Sequence, residues 1–134
     1  IMLCIKPGEH GSTFGGNPLA CVVSQAALEV IVEENLAEKA YVLGKIFREE
    51  LTKNILNLPL VLNIRGKGLL NAILINDHQD SDTAWDICTK LMDNGLLAKP
   101  THGNIIRFAP PLVINKEELK HCIEIIVNTL KSYN

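Results

Sequence analysis

The chain has 134 residues, of which 47% are apolar and 21% charged, with 13 basic against 15 acidic side chains. That length and mixture suit one globular domain, or part of a larger one, and exclude collagen, coiled coil and disordered chains. A net charge of −2 leaves no electrostatic footprint for nucleic acid, and no run approaches the roughly 18 apolar residues of a membrane span.

The chain opens apolar and passes into a glycine-rich loop; four of its nine glycines lie between Gly8 and Gly16. Asn17 then reads as a helix N-cap, with Pro18 at the first helical position, where a missing N–H costs nothing. The helix that follows is apolar on most sides from Leu19 to Val32, which predicts burial on more than one face or a subunit interface. Asn35 predicts the cap of a second helix, with Glu38 completing a variant capping box. Its inner stripe is Leu36, Ala40, Leu43, Phe47 and Leu51, and Lys45, Glu49 and Lys53 form a charged ladder outside.

Two strands follow, Val61 to Arg65 and Leu69 to Ile75, separated by a bend or bulge at Gly66-Lys67-Gly68. Asn76 to Ser81 reads as a loop. Asp82 or Ser81 predicts the cap of a third helix carrying Trp85, Cys88, Leu91 and Met92, stopped by Gly95. Leu96 to Thr101 and Ile105 to Phe108 read as a hairpin across His102-Gly103-Asn104. Asn115 and Glu118 form an N-x-x-E capping signal for a last helix with the stripe Leu119, Cys122, Ile123, Ile126, Val127 and Leu130. The order αα-ββ-α-ββ-α, with antiparallel strands and helices segregated to one side, predicts an α+β fold.

None of Cys4, Cys21, Cys88 and Cys122 forms a C-x-x-C pair. Cys21, Cys88 and Cys122 sit in apolar helical patterns and read as buried free thiols, which suits a reducing compartment. No ligands stand at metal spacing beside His10 or His102, so no metal site is expected.

Two segments offer binding chemistry. In Glu9 to Pro18, glycines allow close backbone approach, Ser12 and Thr13 offer hydroxyls, and a helix N-terminus follows. This suits a phosphate or carboxylate; it also suits a plain glycine-rich connector. Arg107, among the apolar residues of Ile105-Ile106-Arg107-Phe108 and ahead of Pro110-Pro111, reads either as a carboxylate fork or as a snorkelling arginine at a sheet edge. Lys67 and Lys99 read as solvated lysines.

Four stretches together resemble the class III pyridoxal-phosphate-dependent aminotransferases. They are His10 to Pro18, Arg65-Gly66-Lys67-Gly68-Leu69-Leu70, Gly95 to Gly103, and Arg107-Phe108-Ala109-Pro110-Pro111-Leu112. The Gly95 to Gly103 stretch is similar to the ornithine-specific branch. The likeness runs from Ile1 to about Lys131.

The resemblance implies a fold-type I enzyme, with residues 1–34 as the end of a large domain and residues 35–134 as the C-terminal small domain. It implies pyridoxal 5′-phosphate as cofactor and a homodimer in which the loop at Ser12 and Thr13 reaches the neighbouring subunit and binds the cofactor phosphate. It implies ornithine and 2-oxoglutarate as substrates, glutamate 5-semialdehyde and glutamate as products, and Arg107 as the α-carboxylate ligand. It favours the mitochondrial matrix. In this family the lysine that holds the cofactor lies upstream of the loop, so no catalytic residue is expected within these 134 and the chain alone is expected to be inactive. An acetylornithine-type aminotransferase and a non-catalytic dimerisation module are the alternatives.

Overall fold

The computed structural model describes residues 2–133, and the chain divides into two compact units, Ile1–Asn35 and Leu36–Asn134. The first unit holds a 3-10 turn at Met2–Cys4, the loop, and helix α1 (Pro18–Glu33). Asn17 caps α1 as expected: it is extended, and its side-chain oxygen accepts from the Ala20 N–H. No residue of α1 is buried. Burial of this helix within the chain, the first of its two readings, and of Cys21 on it, is therefore not found; Cys21 is exposed along with Leu19, Val22 and Val32, as the subunit-interface reading also allows. Its apolar residues occupy most sides of the helix, leaving one polar stripe through Gln25, Glu29 and Glu33, and the short loop before it is too small to cover them.

Asn35 is not an N-cap. It has φ +50 and ends the preceding helical turn, its N–H donating to the Val32 carbonyl. Asparagine tolerates this left-handed conformation better than most residues, so the same residue type serves a helix end as readily as a helix start.

The second unit is a four-stranded antiparallel sheet with three helices on one face. Helix α2 (Leu36–Ile55) leads to β1 (Val61–Lys67) and β2 (Leu70–Ile75). Helix α3 (Thr83–Asp93), β3 (Lys99–Thr101), β4 (Ile105–Phe108) and α4 (Lys116–Lys131) follow. The strand order is β1-β2-β4-β3, every neighbouring pair antiparallel. The α+β expectation holds, and β4 is an interior strand, so Arg107 is not a sheet-edge residue.

Alternation along the strands separates two faces. Ile73, Ile75, Ile106 and Phe108 point inward and join Phe47, Leu51, Ile87, Leu91, Leu119 and Ile126 in the core. Leu70, Ala72, Leu74, Ile105 and Arg107 take the other face, away from the three helices of this unit.

Several boundaries differ from expectation. Gly66 and Lys67 belong to β1, which leaves a two-residue connection at Gly68-Leu69; the irregularity lies at Val61/Asn63 instead. Gly68 has φ +55, as the first central position of a type II′ hairpin turn requires. The strand β3 is shorter than expected because Leu96 is taken by the end of α3. Gly95 (φ +88) donates to the Met92 carbonyl and Leu96 to the Leu91 carbonyl, the two bonds of a Schellman motif, with Leu91 and Leu96 both buried.

Neither Asp82 nor Ser81 caps α3. Asp82 is already helical and makes no capping bond. Asp77 reaches the helix start from the loop, but it accepts from the Thr83 hydroxyl and the His78 N–H and from no N–H of the helix; those two bonds hold its carboxyl below the ordinary range. At α4 the capping box forms in full between Asn115 and Glu118.

Candidate functional site

Ser12 and Thr13 lie in the first unit and Arg107 in the second. In the loop, the Glu9 carboxylate turns back to accept from the Lys6 N–H, and Phe14 presents its carbonyl to both the backbone and the side-chain amide of Asn17. Ser12 and Thr13 are exposed and neither hydroxyl is engaged by another described residue. A Cβ on Gly15 would stand 3.0 Å from the Ser12 Cβ and 3.1 Å from its Oγ, so glycine there leaves the Ser12 hydroxyl room. Around Gly11 and Gly16 the space is open.

The start of α1 is less available to an anion than its sequence suggests. The Asn17 N–H is bonded to Phe14, Pro18 has none, and the Ala20 N–H is held by the Asn17 side chain. Leu19 alone among the first four is left with a free N–H. No carboxylate stands in the first turn. The donors that suit a phosphate are therefore the two hydroxyls and the glycine backbone, and this set fits the phosphate of pyridoxal phosphate.

Arg107 stands exposed on the open face, opposite Ala72 of β2 on one side and Lys99 of β3 on the other. It makes no hydrogen bond or ion pair with another described residue. A cavity of about 410 Å³ opens over this face, lined by Arg65, Lys67, Ala72, His102, Ile105 and Arg107 among others. An unpaired guanidinium over a small side chain leaves its five donors free for a planar anion.

The hairpin bearing Arg65 is anchored from below. Arg48 Nη1 donates to the Gly68 carbonyl at 3.0 Å and to Asn71 Oδ1 at 2.7 Å, and Asn71 Nδ2 donates to Gly68 at 3.2 Å. Asn71 is buried, so these bonds satisfy polar atoms that water does not reach. Sequence reading gave Arg48 no role. Its partners lie 20 and 23 positions away, and only the fold joins them.

All ten lysines are exposed. Cys88, on the buried side of α3, has its thiol pushed up to about 11 by that burial, so it stays protonated and unreactive at neutral pH. Cys122 is only partly buried and lines a second, apolar cavity with Phe108, Pro110 and Leu119.

Comparison with known proteins gives the family. The model of the class III aminotransferases matches residues 1–130. A mitochondrial ornithine aminotransferase of Drosophila ananassae is 61% identical over 132 residues, 98% of this chain and 29% of the relative. That of Rattus norvegicus is 59% identical, over 99% of this chain and 30% of its own length. Among solved structures, an acetylornithine aminotransferase from Elizabethkingia anophelis superposes with TM-score 0.89 at 61% identity, over 98% of this chain and 34% of that one. The ornithine aminotransferase of Plasmodium yoelii does so with TM-score 0.87 at 48% identity, over all of this chain and 35% of that one. The chain thus spans about 30% of the length of the curated relatives it matches. With the family model covering nearly every residue and the fold shared with solved members, the chain belongs to the class III aminotransferases.

Proposed function

We propose that this chain supplies the phosphate loop and the carboxylate-reading sheet of an ornithine aminotransferase, a homodimer that passes the δ-amino group of ornithine to 2-oxoglutarate. In this reading residues 1–34 close the large domain and residues 35–134 form the small one. Relatives at 59–61% identity bearing that name support the donor, and several of them are called mitochondrial, which supports the matrix as compartment. The observation that carries the reading is Arg107, an unpaired arginine on an interior strand above an open cavity.

Pyridoxal phosphate, when bound, supplies the electron sink for amino transfer. This chain's residues bind and orient. Ser12 and Thr13 donate to the phosphate oxygens, and the glycines beside them let the backbone approach. Arg107 holds the α-carboxylate of 2-oxoglutarate or glutamate through its planar fork, which fixes the direction from which the keto or amino carbon is presented.

The test is turnover in the complete subunit with 2-oxoglutarate and each of three donors. Ornithine should give glutamate and glutamate 5-semialdehyde faster than N-acetylornithine or 4-aminobutyrate react. Preference for N-acetylornithine would move the chain to the branch of its Elizabethkingia neighbour. For the loop, Thr13→Val is expected to weaken cofactor binding by about 1–3 kcal/mol, the scale of one lost hydrogen bond to a charged group. Equilibrium dialysis against pyridoxal phosphate reads this directly, and unchanged affinity would remove Thr13 from the phosphate site.

A further inference from the structure

The chain has three arginines, and all three meet the β1–β2 hairpin or the strand beside it. Arg48 holds the hairpin from the core side. Arg65 and Arg107 stand on the open face in one cross-strand row: Arg65 opposite Ala72, Ala72 opposite Arg107, Arg107 opposite Lys99. Directly opposed residues share a face, and neighbouring strands lie about 4.8 Å apart. Three cations thus stand in line over about 14 Å, with a methyl group in the one remaining slot. Lys67, opposite Leu70, adds a fourth on the same face.

Nothing in the described chain neutralises them. No Asp or Glu lines the cavity above the row, and none of the four has a carboxylate partner among the described residues. Like charges set directly opposite one another weaken a sheet, yet Lys99 faces Arg107.

A single guanidinium is a poor discriminator here, because both substrates of the proposed reaction carry an α-carboxylate. They differ in net charge: 2-oxoglutarate is a dianion, and ornithine carries two ammonium groups against one carboxylate. We infer that Arg65 and Lys99 are specificity-determining residues for the acceptor, the row Arg65–Ala72–Arg107–Lys99 forming a field that favours a five-carbon diacid over the amino donor. The small side chain of Ala72 keeps the space between the two guanidiniums open. This inference rests on the proposed role of Arg107 and extends it from one carboxylate to the charge of the whole ligand.

Glutarate, a five-carbon diacid without a keto group, is an inert probe, and valerate is its monoanionic counterpart. In the complete subunit at low salt, Arg65→Gln and Lys99→Gln should each weaken glutarate binding about fivefold by calorimetry, and valerate binding less. The difference should fade at 1 M salt, where charges are screened beyond about 3 Å. Arg65→Lys should retain most of the affinity, since the field needs charge rather than a fork. Wild-type glutarate affinity in both Gln variants would overturn the inference. So would a loss that persists at high salt, or one that Arg65→Lys shares in full. Arg107→Ala separates the two ideas: if it abolishes glutarate binding while Arg65→Gln and Lys99→Gln do not weaken it, only the row fails. If Arg107→Ala also leaves glutarate binding intact, the proposed role of Arg107 fails with it.

Discussion

Arg107→Ala, made in the complete subunit, is expected to lower kcat/KM for 2-oxoglutarate about 100-fold, the loss of a two-pronged charge-assisted contact. The ornithine half-reaction should fall far less, because ornithine reacts at its δ-amino group and its α-carboxylate then lies at the far end of the molecule from the reacting carbon, away from a fork that holds a carboxylate beside that carbon. Rapid mixing with each substrate alone separates the two. Arg107→Lys should recover only part of the loss, since an ammonium keeps the charge without the planar fork. The fold should be indifferent to the change, because Arg107 is exposed and bonds to no described residue. Equal damage to both half-reactions would count against a role in acceptor binding.

A large stability effect is expected at Gly44. A Cβ there would lie 1.7 Å from the Gly68 carbonyl oxygen and 2.3 Å from its carbon, both backbone atoms. Helix α2 and the hairpin turn would have to part, and the carbonyl displaced is the one that Arg48 and Asn71 both grip. Alanine gains about 1 kcal/mol over glycine in a helix interior. Overpacking costs about 1–3 kcal/mol, and the strained hydrogen bonds add about 1 kcal/mol each. Gly44→Ala should therefore destabilise the protein by about 2–4 kcal/mol net, read as an earlier urea midpoint with an unchanged slope. Gly11→Ala, where no atom lies within 4 Å, should be nearly neutral by the same measurement. An unchanged midpoint for Gly44→Ala would mean that the helix and the turn separate without cost.

What could be read beforehand follows the range of the interactions involved. Asn115 with Glu118, Asn17 with Pro18, and Gly95 were legible because each device closes within a few residues. Asn35 misled because the same side chain suits both ends of a helix, and the choice was made by the turn before it. Asp82 misled because its own backbone is already helical rather than extended, and its side chain makes no bond to the first-turn N–H groups. Gly66 looked like punctuation but sits inside β1, where a Cβ would meet Asn71 Oδ1 at 2.2 Å. The Gly44 contact left no local trace at all; in a helical pattern that glycine is only a weak spot.

The candidate site divides in the same way. Ser12, Thr13 and Arg107 stood out by composition and neighbours, and the family likeness gave them roles. The row through Arg65, Ala72 and Lys99 was hidden, because it depends on the register of three strand pairings. Strand lengths alone would have allowed several registers, each placing a different residue beside Arg107.

The two-residue connection at Gly68-Leu69 has a consequence for how this family can change. Along β2, odd-numbered residues build the interior and even-numbered ones take the open face, so Asn71 and Ala72 are neighbours with opposite duties. A one-residue slip of β2 against its partners would exchange them, turning Asn71 out of the core and driving Leu70, Ala72 and Leu74 into it. An added or lost residue in the tight connection avoids that slip only if a bulge or a longer loop absorbs it, as the irregularity at Val61/Asn63 does farther along β1. Lineages can therefore retune this face by substitution, at Ala72 or Arg65 for instance, more readily than by changes of length here; variation in loop size should collect at Asn76 to Ser81, where most of the chain is exposed and no register depends on it.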